Sequence, residues 1–294
     1  MIENILYLFL LFFLGILLQK KFEKNIDALI DFIIYISLPS LIISHIYKLN
    51  IDISFLKYIA FGWFITIFAI FLSFLAGKYL LKLPLNSLLS FIMVSAFANT
   101  AFVGYPYVET FLGNEALGYA IIYDNFASFL PVVTIGAFLL SFNSKDKKID
   151  LKKIFTFPPF LVLIFSYLLK NFQIDNSFLE IFEKIGQTVT PLALFSVGAK
   201  IDFSKLKKIK LPIFFSLILK MILIPLISLY LLKFLFGINI ESKAVLFEIA
   251  MPPMVLASIM VMKAKLDSNL AVGSVGFGVI FSFLTIPIFY KLLE

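Results

Sequence analysis

The sequence contains no cysteine, no arginine and a single histidine. Without cysteine the chain can form no disulfide and no thiolate metal site, and one histidine leaves no metal site of the usual ligand spacing. No Walker loop is present, so ATP bound in such a loop does not drive the protein. These absences exclude a cysteine nucleophile and predict a protein with no metal and no cofactor.

Charge is also scarce. Charged residues make up 15% of the 294 residues, whereas hydrophobic residues make up 61% and include 37 phenylalanines. A soluble domain has about a quarter of its residues charged. The composition therefore predicts an all-α polytopic membrane protein. The first hydrophobic run lacks the basic segment and the cleavage site of a signal peptide, so we expect it to be a retained span.

Hydrophobic runs between charged clusters predict ten transmembrane helices. A helix needs about 20 apolar residues to cross a hydrocarbon core of about 30 Å. The predicted spans are 4–19, 28–47, 57–81, 87–112, 115–141, 155–171, 178–200, 211–236, 242–263 and 268–292.

The lysines predict how these spans are oriented. Seventeen lysines fall on one side of the spans, seven fall on the other, and Lys220 lies within a span. The lysine-rich side of a membrane protein is cytoplasmic. Ten spans then place both termini outside a cell membrane. The net charge of +7 reflects this topology and does not indicate binding to nucleic acid.

The two halves of the chain resemble each other weakly, at an offset of about 150 residues. Pro39 matches Pro191. The other matches, in the same order, are 49–57 with 200–207, 112–118 with 266–273, and 128–131 with 282–287. Each half has five spans, an odd number, so the second repeat is inverted relative to the first, as in many secondary transporters. We expect one repeat over 1–142, a cytoplasmic linker over 143–153 and the second repeat over 154–294.

Spans four and nine contain residues that interrupt a helix, at equivalent places in the two repeats. Both interruptions lie about 15–18 Å into their spans at helical rise, near the midplane of the bilayer. Unpaired backbone at that depth is tolerated only where it is buried in protein or lines a cavity. We therefore expect the two broken helices to cross at the midplane and to offer half-helix ends to a carboxylate. The residues concerned are Asn99, Thr100, Gly104 and Pro106 in span four, and Pro252 and Pro253 in span nine.

Several of these stretches resemble the auxin efflux carrier family. The resemblance covers essentially the whole chain and is carried by Pro39, the stretch 99–106, Lys220 with Pro225, and the stretch 250–257 followed by 265–267. It implies a ten-helix fold related to bile-acid symporters and sodium/proton antiporters, with a scaffold domain and a transport domain. It also implies that spans four and nine hold the substrate and that Asn99 binds it.

The resemblance implies a secondary transporter rather than an enzyme. The family includes plant exporters and prokaryotic carriers of dicarboxylates such as malate and malonate. We expect export of a small organic anion, either a dicarboxylate or an auxin-like acid, by alternating access. The alternative is a sodium- or proton-coupled symporter or antiporter on the same fold. Pro39 and Pro191 belong to the expected substrate-binding set, although single prolines also serve as ordinary helix kinks. The sequence leaves a homodimer open.

Three ionisable residues lie deep inside predicted spans, where a charge costs at least about 2.5–3.5 kcal/mol. Lys220 could attract an anionic substrate, replace a coupling cation, form a buried ion pair with Asp124 or Glu248, or snorkel to the surface. Asp124 could bind a proton or cation, or make a polar helix contact. Glu248 could carry a proton or lie at the outer mouth.

Four further polar residues are expected to have structural roles. His45 is predicted to be interfacial or hydrogen-bonded rather than a proton relay. Trp63 is predicted to anchor span three at the membrane interface. Glu109 and Glu115, which flank a short outer loop, are predicted to be solvated.

Overall fold

The computed structural model describes residues 2–22, 24–48, 53–141, 158–170, 172–200 and 211–293. Within these ranges the regular structure is helical, and one isolated β-bridge is the exception. The all-α class predicted from the sequence is therefore confirmed. The predicted linker 143–153 and the lysines of 201–210 lie outside the described residues.

Thirteen helices occupy the described ranges, and every predicted span coincides with one or two of them. Five of them (α2, α3, α6, α10 and α13) are long and apolar enough to cross a membrane, which supports a multi-pass protein. The helices are α1 Ile2–Phe22, α2 Ile26–Lys48, α3 Ile53–Leu80, α4 Leu85–Ala96, α5 100–112, α6 Asn114–Ser141, α7 Pro158–Leu169, α8 Asn176–Gly186, α9 Val189–Lys200, α10 Leu211–Leu235, α11 Ile240–Ala250, α12 Val255–Lys263 and α13 Ser268–Leu292.

Span seven is interrupted, which the sequence analysis did not predict. Helix α8 ends at Gly186 and α9 begins at Val189. The Thr188 hydroxyl donates to the carbonyl of Ile185 at 2.6 Å and lies 2.7 Å from the Ser37 hydroxyl of α2. A Cβ on Gly186 would come within 2.8 Å of the Leu41 Cα atom, so glycine is needed for α8 and α2 to cross so closely.

Six wide π-helical turns occur within or at the ends of the long helices. Such turns are rare and often mark functional sites. In one of them the carbonyl of Phe126 accepts a hydrogen bond from the Trp63 indole N–H at 2.8 Å. Trp63 thus joins α3 to α6, and its place at the membrane interface stays a prediction. The π turns are Ile33–Ser37, Ala76–Leu80, Thr100–Gly104, Asp124–Phe129, Val132–Gly136 and Leu219–Leu223.

The helices pack as two groups. In the first, α1 packs along α9, and α2 packs on α7 and α8; in the second, α3 to α6 pack on α10 to α13. The contact between α1 and α9 is close because a Cβ on Gly15 or Gly198 would strike the backbone of the facing helix. Small residues allow membrane helices to approach in this way.

Candidate functional site at the crossing of two broken helices

The breaks in spans four and nine meet each other. Helix α4 ends at Ala96 and helical structure resumes at Thr100, while α11 ends at Ala250 and α12 begins at Val255. The two unwound segments run antiparallel and are paired through two backbone hydrogen bonds. The N–H of Asn99 donates to the Pro252 carbonyl at 2.8 Å, and the N–H of Met254 donates to the Phe97 carbonyl at 3.0 Å. Each break therefore supplies hydrogen-bond partners for some of the backbone groups that the other break leaves unpaired.

Two consecutive prolines account for the break in span nine. Proline has no N–H to donate and disfavours helical dihedrals at the residue before it. Met251, which precedes Pro252, is extended, with φ −61° and ψ 153°. Gly278 of α13 provides the space for this segment, since a Cβ there would lie 2.6 Å from Pro253 Cδ and 3.1 Å from Pro252 Cβ.

The break in span four has no proline at its centre. Phe97 is extended, and Asn99 adopts φ −84° and ψ 70°. The Asn99 carbonyl accepts from the N–H of Gly104 at 3.1 Å, which closes the first wide turn of α5. Pro106, which the sequence placed among the interrupting residues, lies instead in the first turn of the regular helix Tyr105–Leu112. Its missing N–H falls where the wide turn Thr100–Gly104 passes into this regular helix.

The Asn99 side chain is buried and faces inward with a free donor. It is 2% exposed, and within the described part of the chain its Nδ2 atom has no hydrogen-bond partner. A buried amide left unpaired costs roughly 1–3 kcal/mol, which a bound acceptor would remove. Asn99 thus has the chemistry expected of a ligand-binding donor.

Asp124 ties span five to span four. Its carboxylate accepts hydrogen bonds from the hydroxyls of Thr100 and Tyr105, the latter at 2.7 Å. The Ser128 hydroxyl, one turn further along α6, lies 3.1 Å from the Thr100 hydroxyl. The structure therefore gives Asp124 the polar helix contact that was one of its two predicted roles, at the first residues of the half-helix α5.

Lys220 lies inside the protein beside the crossing. Its side chain is 2% exposed, which excludes snorkelling, and Nζ donates to the Ile249 carbonyl at 2.5 Å. This carbonyl belongs to the last turn of α11, where the helix dipole favours a cation. Of the ion pairs between described side chains, neither includes Lys220; they are Lys48–Glu183 and Lys200–Asp27. The predicted ion pair with Asp124 or Glu248 is therefore not formed.

Glu248 is fully buried between the two broken spans and is not at an outer mouth. Among the described residues, neither of its carboxyl oxygens has a hydrogen-bond partner. The carboxyl group packs against Gly104, where a Cβ would come within 2.5–2.9 Å of its atoms. Gly104, predicted as a binding residue, thus makes room for Glu248.

A small cavity lies at the crossing. Its volume is about 20 Å³, enough for about one water molecule. Ligand pockets are typically about 300–1,000 Å³. The crossing is thus closed in this conformation, and a ligand of several carbon atoms needs the helices to separate. Lys220, Ser128, Thr66 and the backbone around Ala98 and Ile249 contribute to the lining.

The other predicted residues lie elsewhere. Pro39 and Pro191 are in α2 and at the start of α9, two helices that approach each other near Ser37 and Thr188, and neither lines the cavity. His45 is hydrogen-bonded as expected, with Nδ1 3.0 Å from the Leu41 carbonyl. Glu115 is exposed as expected, whereas Glu109 is partly buried and accepts from the Thr190 hydroxyl at 2.6 Å, so the expectation of a solvated side chain fails for Glu109.

Sequence reasoning missed Tyr105 and Ser128. Tyr105 lies within the stretch that carried the family resemblance, but its role depends on Asp124, 19 residues away in sequence. Ser128 could have been found from its position four residues after Asp124, because residues four apart share a helix face.

A family model described as "Membrane transport protein" matches residues 1–290. The chain belongs to this family of membrane transporters. The resemblance to auxin efflux carriers stated from the sequence is thereby confirmed.

Two curated relatives of this transporter are archaeal. An uncharacterized transporter of Methanocaldococcus jannaschii is 28% identical over 90% of this chain and 89% of its own length. An uncharacterized transporter of Methanothermobacter thermautotrophicus is 23% identical over 99% of this chain and 98% of its own length. These relatives match the transporter along nearly its whole length.

Proposed function

We propose that the transporter is a secondary carrier that moves a small organic anion across the cell membrane by alternating access, with the helix crossing as its binding site. The observation that carries the proposal is the free amide donor of Asn99 at the paired breaks, together with the buried ammonium of Lys220 at the end of α11, the helix that leads into the second break. An amide donor, a fixed positive charge and the N-terminal ends of two half-helices suit a carboxylate. Export as the direction, and dicarboxylates or auxin-like acids as substrates, come from the family resemblance.

The helix packing supports two inverted repeats. If span one corresponds to span six, span two to span seven and so on, each contact should recur with the halves exchanged. The contact of α1 with α9 has its counterpart in α7 with α2, and that of α11 with α6 has its counterpart in α13 with α4. Likewise, the contact of α3 with α11 has its counterpart in the contact of α10 with α4. This exchange favours the ten-span inverted arrangement, with both termini outside by the lysine distribution.

The two packing groups support a moving transport domain. The group of α1, α2, α7, α8 and α9 corresponds to the scaffold of the resemblance, and the remaining helices, including both broken ones, correspond to the transport domain. A rigid-body shift between them would open the crossing first to one side and then to the other.

Coupling to sodium or protons, without an organic anion, is a second candidate function. It is favoured by the presence of two buried carboxyl groups, those of Asp124 and Glu248, at the crossing. Acidic side chains at membrane depth commonly form ion or proton pathways.

The test is uptake into proteoliposomes of radiolabelled malate, malonate, monocarboxylates and indole-3-acetate, with and without pH and sodium gradients. We expect at least one anion to accumulate, and Asn99→Ala to abolish its uptake at normal expression. Asn86→Ala, an exposed asparagine near the start of α4, is the matched control and should transport normally. Exchange of sodium for protons with no anion moved would establish the second candidate, and wild-type rates in Asn99→Ala would remove the crossing as the site.

A further inference from the structure

We propose that Glu248 is a proton-binding site whose proton travels with the anion, so that the transporter is a proton–anion symporter. This inference rests on the proposed anion transport and adds the coupling ion. It starts from the most isolated ionisable group in the described structure, a carboxyl group with 0% exposure and no hydrogen bond among the described residues.

An ionised carboxylate is not tolerated in these surroundings. Burying a charge that has neither a hydrogen bond nor an ion-pair partner costs many kcal/mol, and a carboxylate in that position takes up a proton instead. Lys220 could neutralise the charge, but its ammonium is bound to the Ile249 carbonyl and forms no ion pair with Glu248 in the described structure. In this closed conformation Glu248 is therefore a neutral carboxylic acid.

The space around the carboxyl group suits a proton better than a hydrated cation. The group lies against the backbone of Gly104, so close that a methyl group there would overlap it. A sodium ion would need several oxygen ligands around it, whereas a proton needs none beyond the carboxylate. When the crossing opens to one side of the membrane, water can reach the group and the proton can leave.

Four other ionisable groups interact with Glu248. They are Lys220 from α10, Asp124 and Tyr123 from α6, and Tyr105 from α5. Asp124 has two hydroxyl donors that hold it as a carboxylate, and tyrosine hydroxyls stay neutral across the physiological pH range. The other lysines of the helices packed on α11 lie in terminal turns: Lys57 and Lys78 in α3, Lys233 in α10 and Lys291 in α13.

The arrangement couples the proton to the anion. With Glu248 neutral, the charges of Lys220 and Asp124 cancel, and an anion entering beside Lys220 adds at least one negative charge to the site. Loss of the proton from Glu248 would then place two like charges in a buried site, which is unfavourable. Anion and proton therefore favour each other's binding, and this linkage is reciprocal. Both leave when the crossing opens to water, on the same side.

The first experiment observes the proton directly in the full-length transporter. Infrared difference spectra during a pH titration should show a carboxylic-acid C=O band at neutral pH that disappears in Glu248→Gln and persists in Glu115→Gln, a variant of an exposed carboxyl. A spectrum unchanged by Glu248→Gln would overturn the inference, whatever the outcome for transport.

The second experiment uses malate as the probe in proteoliposomes. An acidic exterior should stimulate wild-type uptake; Glu248→Gln should lose this stimulation but retain malate–malate exchange, because glutamine mimics the protonated acid. Glu248→Asp, which restores a titratable group, should regain stimulation with a displaced pH profile. Stimulation that survives in Glu248→Gln rejects proton coupling through this residue while leaving anion transport standing. Absence of any anion movement in the wild type rejects the proposed function itself, and the infrared result then stands alone.

Discussion

A single lysine supplies the only positive side-chain charge among the residues that line the crossing cavity. Lys220 lies in a π turn, and the wide turn brings its side chain to the end of α11 rather than to lipid. The ammonium has used one donor on a carbonyl and has two left. A carboxylate that enters the cavity can accept them without displacing a partner side chain. The charge is therefore available to a ligand in a way that a buried ion pair would not be.

Replacing Lys220 by methionine tests whether its charge binds the transported anion. Methionine fills a similar volume, so we expect folding to be kept, while anion uptake falls by about tenfold or more, equivalent to about 1.4 kcal/mol. Radiolabelled malate uptake and thermal unfolding would be measured together. Lys233→Met, an exposed position in the last turn of the same helix, is the control. Unchanged uptake with a large drop in melting temperature would make the lysine structural.

At the scale of helices, the two breaks differ in how far the sequence could predict them. Pro252 and Pro253 have an intrinsic effect on the backbone, so the break in span nine could be placed to within a residue or two. In span four the prediction relied on Asn99, Thr100, Gly104 and Pro106, of which Pro106 lies in the regular helix Tyr105–Leu112. The break there is held by pairing with Pro252 and Met254, residues more than 150 positions away.

The difference between a residue's intrinsic effect and its contacts with other helices also explains which other features the sequence could predict. The buried charge of Lys220 could be predicted because charge is costly in any hydrophobic span. The interruption at Gln187 and Thr188 could not, because it depends on the close approach of Gly186 to Leu41 in another helix. The isolation of Glu248 depends likewise on Gly104. Local chemistry identifies the candidate functional residues, and packing between helices decides what each of them contacts.

Replacing Pro252 and Pro253 by alanine tests whether transport needs the break in span nine. Without them the segment 251–254 regains two N–H donors and can continue as a helix from α11 into α12, which would remove the bridge to span four. We expect uptake to fall more than about tenfold, and amide exchange at Asn99 to rise as it loses the Pro252 carbonyl. Pro287→Ala is the control, because Pro287 already lies inside the regular helix α13. A double variant with normal uptake would show that the break is dispensable.

For the whole molecule, the central question is which contacts hold one group of helices to the other. The hydrogen bond from Thr190 to Glu109 joins α9 of the first group to α5 of the second. Phe9 and Phe12 of α1 also meet Phe283 of α13, with ring centroids 5.4 and 5.5 Å apart. The bond between Ser37 and Thr188, by contrast, lies within the first group. If the groups move as rigid bodies, the bond between Thr190 and Glu109 and the phenylalanine contacts must break in each cycle. The bond between Ser37 and Thr188 must persist.

The absence of native cysteine allows this to be tested by cross-linking in the otherwise unchanged chain. In the double variant Glu109→Cys with Thr190→Cys, a short bifunctional thiol reagent should join the two groups and stop malate uptake. In Ser37→Cys with Thr188→Cys, the same reagent should link α2 to the α8–α9 connection within one group and leave uptake intact. Each variant is its own control before the reagent is added. Because the two links have similar chemistry and differ in whether they cross the boundary, inhibition by both, or by neither, would contradict rigid-body movement of these two groups.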